Sequence, residues 1–169
     1  MTEDRQARDF VRDVEVYVSA LAPTTPLPNT NGLIGRAYAL AGEREPEGWL
    51  RWGNSGLPMS GADIAAHAET AGTVLRRIGW NPSDTACLSI RDALILSVRE
   101  DETGRLSEDT RYVLVDVLNY LIRAMTGAPH ANFELWDMHP RRTVDEVFGL
   151  LAAASVFARA YGRTEAATA

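Results

Sequence analysis

Three features of the chain predict an all-α fold, a single-domain bundle of about six helices. Apolar residues recur at spacings of three and four in successive segments, breaks rich in Gly and Pro separate those segments, and no stretch alternates apolar and polar residues as a half-buried strand would. No internal repeat is present. At 169 residues folding can bury roughly 70% of the unfolded surface, so a core forms without disulfides or a structural metal.

Residues 4–21 place Phe10, Val14, Tyr17 and Leu21 on one helical face, and Pro23 ends that helix. The stretch Ala22 to Asn31 reads as an extended connector that delivers Asn29 or Thr30 as the cap of a second helix over 31–42. Leu33, Ile34, Ala37, Tyr38 and Ala41 face inward on it. The first 45 residues thus read as helices that pack on their own bundle or as an arm that swaps onto a neighbour.

Residues 43–59 have no periodicity and hold Trp49 and Trp52 around Arg51, which predicts a long ordered loop or flap. Ser60 and Asp63 pair as a capping box for a third helix with the stripe Ile64, Ala68, Ala71, Leu75 and Ile78, and His67 faces away from that stripe toward solvent. Gly79-Trp80-Asn81-Pro82 stops it. Ser83 or Asp84 then starts a fourth helix bearing Cys87, Ile90, Leu94 and Val98 on one face, with Cys87 a small buried hydrophobe.

A charged loop from Glu100 to Leu106 leads to a fifth helix, Ser107 to Met125, apolar nearly all round and therefore central. Its narrow polar strip is Asp116, Asn119 and Arg123, which either lines a polar cavity or meets water. An irregular passage to Arg142, with room for one short helical turn, precedes the capping box Thr143-Val144-Asp145-Glu146 of the last helix. Val147, Leu151, Ala154, Ala158 and Tyr161 face inward there, and residues 163–169 form a frayed tail to a domain of residues 1–162.

The 23 acidic residues outnumber 17 basic ones, with no basic block, which argues against nucleic acid as a partner. All 17 basic residues are Arg. Without Lys there is no lysine Schiff base and no Walker A loop. A charged N-terminus, no apolar run of membrane-spanning length and the single Cys87 predict a cytoplasmic protein with no membrane partner. No nucleophile elbow, dinucleotide fingerprint, C-x-x-C pair or EF-hand loop occurs, and no cofactor is expected.

Residues 130–142 gather His130, Glu134, Asp137, His139, Arg141 and Arg142 around Trp136. Two imidazoles and two carboxylates are the groups a divalent metal or an acid–base pair needs, but the spacing matches no metal motif and no metal ligand set is assigned. The competing reading is a solvated loop held by a buried Trp136, with Asp137 bonded to backbone amides and Arg142 paired with an acid. Trp49, Arg51 and Trp52 have the chemistry of an interface hot spot or a ligand lid, and equally of a loop pinned to the core.

Gly79-Trp80, the run Cys87-Leu88-Ser89-Ile90-Arg91-Asp92-Ala93, Leu135-Trp136-Asp137, Pro140 and Arg142-Thr143-Val144-Asp145-Glu146-Val147 together resemble a small helical bacterial and phage family, a domain of unknown function. The resemblance covers about residues 69–161. Members carry a G-W turn, a C-x-x-G-A helix, and a W-N-D loop leading to an R-T-x-x-E-V helix start. Here Trp136-Asp137-Met138 replaces Trp-Asn-Asp, and Arg91 or Asp92 stands where the family has Gly before Ala93. The resemblance implies a helical fold and carries no activity.

The residues fit best a non-catalytic binding or accessory protein, a homodimer or the companion of another protein, with Trp49, Arg51 and Trp52 as contacts. The alternative is a small enzyme of specialised metabolism with a small-molecule pocket between the 107–125 helix and loop 130–142. In it Asp137 and His139 serve as acid and base, Trp136 as a wall and Arg142 as the anchor for an anion, while Asp116, Asn119 and Arg123 line the cavity.

Overall fold

A computed structural model describes residues 30–83 and 85–165. Its helices are α1 (Thr30–Gly42), α2 (Gly61–Ile78), α3 (Ile90–Glu100), α4 (Glu108–Thr126), α5 (Phe133–Asp137) and α6 (Val144–Tyr161). The fold is all-α; among the described residues the only β pairing is two isolated bridges, Trp52 with Pro58 and Asn81 with Leu88. The predicted helix over 4–21, its connector and the end of the tail lie outside the described residues. No described helix is long and apolar enough to cross a membrane.

Reciprocal caps set most helix starts. Ser60 with Asp63, Ser89 with Asp92, Ser107 with Thr110 and Thr143 with Glu146 each satisfy two orphan amides at the start of α2, α3, α4 and α6. Gly79 and Gly127, both with φ near +80°, end α2 and α4, each donating its N–H to the carbonyl four residues back. Apolar α4 touches every other described helix, and Val113, Leu114, Val117, Leu118, Leu121 and Ile122 are buried on it. Helix α2 packs along α3 on one side and α6 on another. Where α2 begins, Gly61 donates its N–H to the Arg163 carbonyl, and a Cβ at Gly61 would overlap the Ala158 carbonyl.

Five sequence expectations are corrected. The fourth helix starts at Ile90, not at Ser83 or Asp84, because the Ser89–Asp92 box caps it there and the Asn81–Leu88 bridge holds the preceding segment out of helix. Cys87 therefore lies outside the helix, exposed, in the left-handed region at φ +52°. The buried face is Ile90, Ala93, Leu94 and Ser97, with Val98 only half-buried. His67 is fully buried because α3 and α4 cover α2 outside the narrow apolar stripe. Its Nδ1 sits 2.9 Å from Thr110 Oγ1 and its Nε2 3.0 Å from the Leu94 carbonyl, so both ring nitrogens are satisfied. Burial holds the His67 imidazole below its usual pKa. Tyr38, expected inward, is 44% exposed.

Candidate functional site

Loop 127–143 is built around Trp136, which is buried, and around two side chains that leave it for other segments. Asn132 caps α5 by accepting from the amides of Glu134 and Leu135, at 2.9 and 3.2 Å. Asn119 of α4 accepts from the Phe133 amide at 2.8 Å, which fixes α5 on the central helix. Asn119 is thus a strut, and its oxygen is committed.

Asp137 is 1% exposed. One carboxylate oxygen accepts from the Trp80 indole Nε1 at 2.7 Å, and the other from the Ile90 amide at 2.8 Å, an orphan donor at the first residue of α3. Burial raises the Asp137 pKa, while those two bonds and the Arg142 charge pull it back down. The Arg142 guanidinium lies 3.7 Å from the Trp136 ring centroid. Its Nε donates to the Trp136 carbonyl at 2.9 Å and its Nη1 to Glu146 Oε1 at 3.0 Å, while Nη2 is buried with no protein partner. Burial pushes the Arg142 pKa down, against the pull of Glu146. Glu146 also accepts from the Thr143 amide at 2.8 Å, closing the α6 cap.

Several of the residues that carry the family resemblance therefore form one network: Trp80 in the turn, Ile90 at the start of α3, Trp136 and Asp137, then Arg142, Thr143 and Glu146. It clasps the α2–α3 turn and the starts of α3 and α6 around α5. Polar atoms committed this way have little left for a substrate.

A pocket of about 200 Å³ opens beside the clasp, lined by Pro82, Ser83, Cys87, Ser89, Arg91, Asp92, Glu134, Asp137 and Met138. Asp137 borders it; His139 does not. His139 is half-buried and its Nδ1 accepts from the Arg141 amide at 3.1 Å. The expected acid and base are not brought together in this pocket. His130 is exposed, with Nδ1 3.3 Å from Arg44 Nη1, and the described residues contain no group of three or more His, Cys, Asp or Glu placed to hold a metal.

The polar strip of α4 divides. Beyond Asn119, Asp116 and Arg123 flank Tyr120, whose hydroxyl donates to Glu45 Oε1 at 2.6 Å. Arg123 is buried, 5.6 Å from the Tyr120 ring, and its Nε lacks a protein partner. Burial, with the Glu45 charge second, raises Asp116 to about 6 from an ordinary 3.8. A raised carboxyl pKa stabilises the fold fully below pH 4, and that contribution is lost as pH rises through 6. Asp116→Asn is accordingly expected to raise stability at pH 7.5 by about 1 kcal/mol, after discounting for the half-exposed site. Urea titrations of both proteins from pH 4 to 7.5 check this: the gap should open between pH 4 and 6.

The second place is loop 43–59. Trp49 packs edge-on to Tyr120 at 5.9 Å and lies 6.3 Å from Phe157, and Leu50 and Met59 are buried, so both ends of the loop's central part are pinned to the core. Between them the chain turns back on itself. Gly53 N–H donates to the Leu57 carbonyl, Met59 N–H to the Arg51 carbonyl, and Ser55 bonds through both its amide and its hydroxyl to Asp109 of α4. This frame holds Trp52 57% exposed and Leu57 66% exposed, with Arg51 also exposed. Trp49 and Trp52 thus part company, one a pin and one a projection.

Sequence reasoning missed Trp80, Glu45, Asp109 and Leu57 as partners in these places. A Trp in a turn directly after a helix carries an N–H that burial obliges to find an acceptor, which is the signal Trp80 offered.

No curated protein and no solved structure matches this chain. Residues 59–156 match a family of unknown function (DUF6197), a span that holds the whole clasp and excludes Trp49, Arg51, Trp52 and Leu57. With more than half of its length matched, the chain belongs to that family.

Proposed function

We propose that this is a non-catalytic binding protein of the cytoplasm that acts through protein–protein contact, as a homodimer or as the accessory of another protein. The observation that carries the reading is the rigidly framed loop presenting Trp52, Leu57 and Arg51 to solvent. Fixing a loop costs conformational entropy in folding, and a side chain already held in its bound position loses little more on association. Trp and Arg are also the residue types that dominate interface energetics. The enzyme alternative draws less support, since both carboxylate oxygens of Asp137 and the Nε and Nη1 of Arg142 are engaged inside the clasp and His139 stands outside the pocket.

The test is native mass spectrometry of the protein isolated from its own host, beside a Trp52→Ser/Leu57→Ser variant. A self-complex or hetero-complex is expected for the wild type and lost in the variant. A monomer carrying a retained small molecule in both samples would overturn the reading, and a complex that survives the double change would remove the loop from it.

A further inference from the structure

The pocket of about 200 Å³ beside the clasp holds charged groups that the fold leaves unused. Asp137 at its edge is committed, with its two oxygens bonded to Trp80 and Ile90. Arg91 and Glu134 are not. Arg91 Nε stands 3.9 Å from Glu134 Oε1 with no hydrogen bond between them. Every other ion pair of the described residues is 3.0 Å or shorter and hydrogen-bonded. Asp92 gives its Oδ2 to the Ser89 amide and hydroxyl, at 3.0 and 2.6 Å, and its Oδ1 accepts nothing within the described residues. The lining thus keeps a planar fork of donors on Arg91 and unused carboxylate oxygens on Glu134 and Asp92.

Those charges select the ligand. A simple amine would meet the Arg91 cation, and a simple acid would meet the carboxylates of Glu134 and Asp92, so part of the lining opposes each. A molecule bearing both charges on one carbon matches a guanidinium and a carboxylate 3.9 Å apart. Met138 and Pro82 supply apolar wall for a short side chain. Volume sets the upper limit, since drug-sized ligands occupy sites of roughly 300–1,000 Å³. We propose that this pocket binds a free α-amino acid with a small apolar side chain, its carboxylate on Arg91 and its ammonium between Glu134 and Asp92. None of the lining belongs to the Trp52 loop, and the proposal stands without that loop's role.

Amide NMR of the full-length protein, titrated separately with L-alanine, L-valine, L-leucine and L-methionine, tests it. At least one should bind saturably, with shifts centred on residues 82–83, 87–92 and 134–138. The amide and the N-acetyl derivative of that amino acid each lack one charge, and each should bind about ten- to a hundredfold more weakly. Arg91→Gln and Glu134→Gln should weaken binding by a similar factor at unchanged thermal stability, since both side chains lie at the surface. An amide that binds as tightly as the amino acid would make this a site for simple amines and overturn the proposal. So would shifts centred elsewhere, binding that survives both substitutions, or no binding by any of the four.

Discussion

Asp137→Ala is expected to destabilise the protein by about 2–4 kcal/mol, because it strands two donors that the fold has taken out of water. Both oxygens of Asp137 are in use, one on the Trp80 indole and one on the Ile90 amide. Each donor left without a partner costs roughly 1–3 kcal/mol. Relief from burying the carboxylate, visible in its raised pKa, returns part of that. Asp137→Asn should fall between wild type and Ala: its oxygen serves one donor while its NH₂ group faces the other. Denaturant unfolding of the three proteins checks the order. A catalytic Asp137 would behave oppositely, with Asn close to wild type in stability.

Gly61→Ala is expected to cost about 2–3 kcal/mol, although alanine ordinarily strengthens a helix. The new Cβ would overlap the Ala158 carbonyl, and Gly162 Cα also lies 3.0 Å away. Backbone on both sides leaves no flexible side chain to give way, so the start of α2 must separate from the end of α6 and lose the bond from Gly61 N–H to Arg163. Gly42→Ala supplies the contrast, since nothing lies within 4 Å of its Cβ. That variant should match or exceed wild type by up to about 1 kcal/mol. Thermal unfolding of the pair separates close helix packing from a general cost of losing glycine.

Local chemistry was the legible part of this chain. Caps at Ser60 and Thr143 join residues three positions apart, so a pattern in sequence is already a pattern in space. The same rule placed the fourth start too early, because Ser83 resembles a cap and only the Asn81–Leu88 pairing shows why the chain stays out of helix until Ser89. His67 went wrong for a related reason. A stripe of five apolar positions describes one contact face, whereas α2 is covered by α3, α4 and α6, and the second face is built from Ala, Gly and a histidine whose nitrogens find partners 27 and 43 residues away.

The candidate site divides along the same line. The residues of loop 130–142 were visible as a group, but the use each makes of its polar atoms depends on partners such as Trp80, 57 residues from Asp137. Trp49 and Trp52 stand three residues apart with the same chemistry. Only the positions of Tyr120, Phe157 and Asp109 make one of them a pin and the other a projection.

Hydroxyl-radical footprinting of the tryptophans tests the association reading most directly, comparing the protein in a lysate of its own host with the purified, diluted chain. Trp52 should be protected in the lysate and readily oxidised when diluted, while buried Trp136 stays unreactive in both. Equal oxidation of Trp52 in the two samples would contradict the account.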